Sequence, residues 1–120
     1  MNFSGSIIFF GCRDLDSIRN FYGGFLDFDL YKDQGSCLIY KLPGGNYLGY
    51  CQHLEKKAAD RSPIITLLCE TQKEVDEFYH YFKNADRPTD QPPKVNEKFN
   101  LYHFFARDPE GYTLEIQCFL

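Results

Sequence analysis

An internal repeat constrains the fold of this 120-residue chain more than any other feature of the sequence. The segment "SIIFFGCRDLDSIRNFYGGF" aligns with "PIITLLCETQKEVDEFYHYF", so that Ile7 falls on Ile64, an offset of 57 residues. Further along, "LPGGNYLGYCQHL" aligns with "DPEGYTLEIQCFL", and Gly49 falls on Glu115, an offset of 66 residues. A supersecondary unit that occurs twice is therefore the first expectation.

Each copy shows the same order of secondary structure. A short β-rich run leads into a segment with apolar residues at helical spacing, Ile18, Phe21, Tyr22 and Phe25 in the first copy and Val75, Phe78, Tyr79 and Phe82 in the second. Asp14 and the capping-box pair Thr71 and Glu74 mark the helix starts. Three strand-like runs follow each helix. The pattern predicts one α+β domain of two tandem βαβββ units, 1–53 and 62–120, joined by a linker at 54–61.

Composition narrows the classes of partner. The net charge is -4 and the longest basic run is Lys56-Lys57, which argues against a nucleic-acid partner. The N-terminus lacks the features of an export signal, and no apolar run is long enough to span a membrane, so we expect a cytoplasmic protein. The 12 Phe and 9 Tyr residues can fill a core or line a pocket.

Cysteine, histidine and proline positions give no metal or recognition motif. The five cysteines are scattered without C-x-x-C spacing, which favours reduced, mostly buried thiols. His53 and His80 lack the spacing of metal ligands, and we expect both at the surface. Pro92 and Pro93 are expected in a polar loop without a role in recognition.

The repeated unit, the Asp14-Leu15 pair seven residues ahead of Phe21-Tyr22, and the Asp-Pro-x-Gly turn four residues before Glu115 resemble the vicinal oxygen chelate superfamily. That superfamily includes glyoxalase I, bleomycin and fosfomycin resistance proteins and extradiol dioxygenases. The resemblance implies two units whose sheets form a U-shaped mixed sheet around a cavity, with the helices on the outer face. It also implies that a homodimer is plausible, since a second chain often completes the cavity.

In metal-dependent members of that superfamily, the residue matching Glu115 is a metal ligand. The other three ligand positions that the resemblance implies hold Ile7, Ile64 and Gly49, which have no donor atom. We therefore expect no cofactor, with a divalent metal at Glu115 kept as the alternative.

Strand alternation predicts what lies beside Glu115. If residues 109–111 form a three-residue hairpin loop with Gly111 in the left-handed conformation, Glu115 lies opposite Phe105 with His103 on the same face. A register slip of one residue would put His103 on the other face. His103 and Glu115 are either a general acid/base pair or a hydrogen-bonded structural pair. The same alternation gives the expected ligand-binding residues Ile7, Phe9, Tyr47, Gly49, Ile64, Thr66 and Phe105.

Three functions fit these expectations. The first is a metal-free protein that binds a small hydrophobic or aromatic molecule. The second is a metal-dependent lyase or dioxygenase of the glyoxalase type that uses Glu115 and His103. The third is a structural or regulatory module whose own aromatic rings fill the cavity.

Overall fold

The structure, a computed structural model, describes residues 1–55 and 62–120 and has an α+β fold of two compact units, Met1–Lys57 and Ala58–Leu120. Each unit has one strand, a helical segment and three further strands, so the predicted pair of βαβββ units is confirmed. Most of the predicted linker, residues 56–61, lies outside the described residues. The U-shaped cavity stays a prediction.

The first unit builds a four-stranded sheet in the order β1-β4-β3-β2. Its strands are β1 (Ile7–Gly11), β2 (Asp29–Asp33), β3 (Cys37–Lys41) and β4 (Tyr47–Cys51). The pairing of β1 with β4 is parallel, and the other two pairings are antiparallel. Helix α1 (Leu15–Ile18) continues as a π-helical segment, Arg19–Phe25.

The helical segment of the first unit buries the predicted apolar stripe. The Asp14 side chain caps its start by accepting from the backbone N–H groups of Asp16 and Ser17. Phe21 and Tyr22 are fully buried, and the Tyr22 ring stacks on Tyr50 of β4 with ring centroids 4.7 Å apart. Aromatic stacking therefore holds the helix to one face of the sheet.

The second unit repeats this arrangement with a longer helix. Its sheet has the order β5-β8-β7-β6, with β5 (Ile64–Leu68), β6 (Lys94–Asn96), β7 (Leu101–Arg107) and β8 (Thr113–Phe119), and its helix is α2 (Gln72–Asn84). Thr71 and Glu74 form the predicted capping box. Strand β8 pairs parallel with β5 and antiparallel with β7.

One predicted core residue of α2 is exposed, and a second, Tyr79, is half-buried. Val75 and Phe82 have no exposed surface, and Tyr79 and Phe82 pack edge-on against Phe104 of β7. Phe78 is 40% exposed, so its predicted place in the buried stripe is wrong. The contact of α2 with the sheet is therefore narrower than the apolar stripe of the sequence.

The prediction of reduced thiols is wrong for one pair, because Cys37 and Cys51 form a disulfide. Antiparallel pairing of β3 with β4 sets the two residues directly opposite each other, with Cα atoms 4.1 Å apart. Cys69 lies outside the disulfide, and burial, followed by the charge of Glu74, raises the pKa of its thiol to about 11. Cys69 is therefore a weak nucleophile at neutral pH.

None of the helices in residues 1–55 and 62–120 has the length and apolar character needed to cross a membrane.

Candidate functional site

A tight turn between β7 and β8 sets the register that places His103, Phe105 and Glu115 in the candidate site. The Asp108 N–H donates to the Tyr112 carbonyl at 3.0 Å, and Gly111 has a φ of +88°. One carboxylate oxygen of Asp108 accepts the N–H groups of Glu110 and Tyr112, each at 2.9 Å. The predicted three-residue loop with a left-handed Gly111 is therefore confirmed.

The register that follows from this turn brings the predicted polar residues together. Phe105 lies opposite Glu115 and His103 lies opposite Gln117 in the β7–β8 pairing. Parallel pairing of β5 with β8 sets Thr66 beside Glu115 from the other side. Because directly paired residues point to the same face of a sheet, Thr66, Glu115 and Phe105 form one row, with His103 in the next.

Glu115 is held from two sides. The His103 Nδ1 atom lies 2.6 Å from Glu115 Oε2, and the Thr66 hydroxyl donates to Oε1 at 2.8 Å. The side chains of His103 and Glu115 are only 7% and 14% exposed. Hydrogen bonds from His103 and Thr66 therefore replace most of the water that would otherwise contact the carboxylate. With Nδ1 directed to the carboxylate, Nε2 is the ring nitrogen left for a ligand. The Phe105 ring packs edge-on against His103, with centroids 5.0 Å apart.

A cavity of about 120 Å³ opens beside His103. It is lined by Asp90, Gln91, Pro92, Lys94, His103, Phe104 and Phe105. All of these residues belong to the second unit. The cavity therefore brings an aromatic ring and a fixed imidazole together with a flexible cation.

The cavity exists because the strand next to β7 is interrupted. The Asp90 N–H donates to the Phe105 carbonyl at 2.9 Å, and Lys94 pairs with His103. Between those two attachments stand prolines 92 and 93, which have no N–H to donate to β7. The proline pair lies in a loop, as expected, and Pro92 lines the cavity.

The predicted ligand-binding residues fall on one sheet face in each unit. In the first unit, Ile7 pairs with Tyr47 and Phe9 pairs with Gly49. In the second unit, Ile64 and Thr66 lie on β5, and Phe105 lies on β7. Ile7, Phe9 and Ile64 are 38%, 45% and 45% exposed, which is more apolar surface than a sheet face usually leaves uncovered.

The residues at the positions that the resemblance assigns to a metal do not fit one. Ile7 and Ile64 supply no donor atom, and a Cβ atom added at Gly49 would overlap the Phe9 ring. Both Glu115 oxygens already accept hydrogen bonds. A metal normally takes three or more side-chain ligands, and this donor set offers too few.

Sequence reasoning missed a cluster in the first unit. Cys37, Cys51 and His53 have ligand atoms that all lie within 4.8 Å of one another. His53 is exposed as expected, but its position beside two sulfur atoms was not predicted. The "LPGGN" turn contained the missing signal, because pairing outward from it sets Cys37 against Cys51.

Solved structures with the same architecture can be compared with this geometry. A glyoxalase/bleomycin resistance protein/dioxygenase from Nocardioides is 16% identical, with a TM-score of 0.81 over 100% of this chain and 85% of its own. The chain has the glyoxalase/bleomycin-resistance fold. A protein of the same description from Alicyclobacillus acidocaldarius is 17% identical, with a TM-score of 0.78 over 98% of this chain and 92% of its own.

A lactoylglutathione lyase from Agrobacterium tumefaciens also has this fold, with 19% identity and a TM-score of 0.75 over 93% of this chain and 90% of its own. The predicted resemblance to the vicinal oxygen chelate superfamily is confirmed at the level of the fold. No protein-family model matches the sequence, and no curated protein matches it.

We predict that Gly49→Ala destabilises the protein by about 1–3 kcal/mol, because the new Cβ must displace the Phe9 ring. The same substitution in a Phe9→Ala background should cost much less. Equilibrium urea unfolding of the single and double variants measures the difference. An equal cost in both backgrounds would show that Phe9 does not fill this position.

Proposed function

We propose that the protein binds a small aromatic molecule that carries a hydroxyl group. The observation that carries this proposal is the cavity beside His103, whose imidazole is oriented by Glu115 and flanked by Phe105. This is the metal-free binding function expected from the sequence, given a more specific ligand class and moved to a cavity that only Phe105 of the predicted ligand-binding residues lines.

The volume limits the size of the group that enters. At about 120 Å³, the cavity is smaller than the several hundred cubic ångströms of a pocket for a drug-sized ligand. Apolar cavities of about 150 Å³ hold a benzene ring in other proteins. This cavity is somewhat smaller, so a single ring is the largest group that it suits, and part of that ring or any substituent would have to lie outside it.

The chemistry of the lining selects the polar group on that ring. The His103 Nδ1 atom is directed to Glu115, so Nε2 is the atom that accepts a hydrogen bond from a ligand hydroxyl. The edge-on contact of the Phe105 ring with His103 sets an aromatic wall beside the imidazole. A ligand ring would gain aromatic contact and one hydrogen bond at the same place.

Phenol and toluene are the probes that test this proposal, because they share size and differ in the hydroxyl. We expect phenol to shift the backbone amide resonances of His103, Phe105 and Lys94 in ¹H–¹⁵N spectra, and to bind more tightly than toluene. His103→Asn should weaken phenol binding about two- to tenfold, the range of one hydrogen bond. It should leave toluene binding little changed.

Lys83→Ala, at an exposed position in the last turn of α2 that does not line the cavity, is the control and should bind phenol as the native chain does. The proposal fails if phenol and toluene bind equally. It also fails if the shifted amides lie away from the cavity.

A second candidate function is proton transfer to or from the bound molecule. The observation that favours it is the 2.6 Å contact between His103 and Glu115, since a carboxylate that orients an imidazole is a common support for a general base. In this reaction Nε2 of His103 takes the hydroxyl proton of the ligand, and Glu115 stabilises the imidazolium that forms.

Para-nitrophenol tests proton transfer directly, because its anion and neutral form differ in colour. We expect binding to raise the phenolate absorption in weakly acidic buffer, where the free probe is mostly neutral. Glu115→Gln should remove this rise while some binding remains. Bound probe that keeps the spectrum of the neutral form would restrict His103 to a binding role.

These residues support a metal-dependent lyase or dioxygenase less well than they support metal-free binding. Several solved structures of the same fold are described as glyoxalases or dioxygenases, and one is described as a lactoylglutathione lyase. This chain has isoleucine or glycine at three of the expected ligand positions, so we derive no step through a metal there. The filled-cavity module stays an alternative: a volume of about 120 Å³, well below the usual few hundred cubic ångströms, favours it, and a failure of phenol to bind would favour it further.

We also propose a cytoplasmic location and a homodimer. Neither a nucleic-acid nor a membrane partner is part of the proposal.

A further inference from the structure

We infer that the reduced form of the Cys37–Cys51 pair, together with His53, binds Zn²⁺ at a site in the first unit. This site is independent of the proposed aromatic ligand, since its three residues lie in Met1–Lys57 and the His103 cavity lies in the other unit. It also differs from the metal position of the fold family, because Ile7 and Gly49 occupy that position here.

Strand pairing brings the two sulfur atoms together. Cys37 on β3 lies directly opposite Cys51 on β4, and both residues are almost completely buried, at 5% and 2% exposure. Two thiolates from neighbouring strands on one face are a sound basis for a zinc site. Their burial among backbone and apolar groups limits competition from water.

His53 completes the donor set. Its Nδ1 atom lies 3.7 Å from the Cys37 sulfur. Tetrahedral zinc with Zn–S near 2.3 Å and Zn–N near 2.0 Å separates sulfur from nitrogen by about 3.6 Å. The observed separation therefore already matches that of two ligands on one ion.

Gly11 permits this placement of His53. A Cβ atom at Gly11 would overlap the backbone of Leu54 and Glu55, so the chain after β4 lies directly on β1. The Leu54 N–H donates to the Cys51 carbonyl at 3.4 Å, which closes the turn that contains His53. The imidazole is exposed, so the ion can enter from solvent on that side and keep a water molecule as its fourth ligand.

Oxidation state decides whether the site can bind an ion. In the disulfide the two sulfur atoms bond to each other and neither is a thiolate. A phosphine reduces the bond by supplying two electrons and is itself oxidised to the phosphine oxide, with water supplying the oxygen atom and the two protons. The two thiols formed on the protein then lose their protons as Zn²⁺ binds, so the metal and the disulfide exclude each other.

Zinc titration of the reduced and the oxidised protein tests the inference. Protein reduced with a phosphine under anaerobic conditions should take one Zn²⁺ per chain in competition with a chromophoric chelator, and the oxidised protein should take none. Cys37→Ser should abolish this uptake. His53→Asn should weaken it by about tenfold or more, since losing even an outer partner of a metal ligand costs about 10- to 100-fold. Cys69→Ser is the matched control and should bind as the native chain does.

Two further measurements use the native protein, so they do not depend on whether a variant folds. Co²⁺ bound to the native reduced protein should show thiolate charge-transfer absorption. Zn²⁺ should protect Cys37 and Cys51, located by mass spectrometry, from alkylation. Equal zinc uptake by the oxidised protein would overturn the inference. So would unchanged affinity in His53→Asn, or alkylation of the two cysteines that zinc does not slow.

Discussion

The turn from Asp108 to Tyr112 is the constraint on which the candidate site depends. Its carboxylate accepts two backbone N–H groups, and its left-handed Gly111 allows only one register for β7 and β8. A slip of one residue would turn His103 away from Glu115. The backbone geometry of this turn, several residues away, therefore determines that the His103 imidazole lies beside the Glu115 carboxylate.

The internal repeat shows how one scaffold supports different chemistry in its two copies. Glu115 of the second unit corresponds to Gly49 of the first, and Thr66 corresponds to Phe9. The second unit therefore has a hydrogen-bonded carboxylate where the first has an aromatic ring packed over a glycine. At the next position along the strand, His103 corresponds to Cys37. The β3–β4 and β7–β8 registers are the same, so each unit carries its own polar cluster on the same face of this strand pair.

Much of the fold could be predicted because its signals are local. Helical spacing, the Thr71 capping box and the turn at Gly111 each act over a few residues, and the register from that turn brought His103 and Glu115 together correctly. The cavity was missed because it comes from an interruption between two attachments to β7. The Cys37–Cys51 disulfide was missed because cysteine spacing along the chain does not reveal pairing across strands. Phe78 shows that a helical apolar stripe does not fix how wide the contact with the sheet is.

The protonation pattern of the His103 imidazole tests the central claim most directly. Long-range ¹H–¹⁵N correlation spectra report which ring nitrogen carries a proton. The structure predicts a proton on Nδ1 that exchanges slowly with water, because Nδ1 donates to the buried Glu115 carboxylate. Exchange should become fast in Glu115→Gln and stay slow in Lys83→Ala. An unprotonated Nδ1 in the native protein would contradict the account, since Nε2 would then carry the proton and could not accept a hydrogen bond from a ligand hydroxyl.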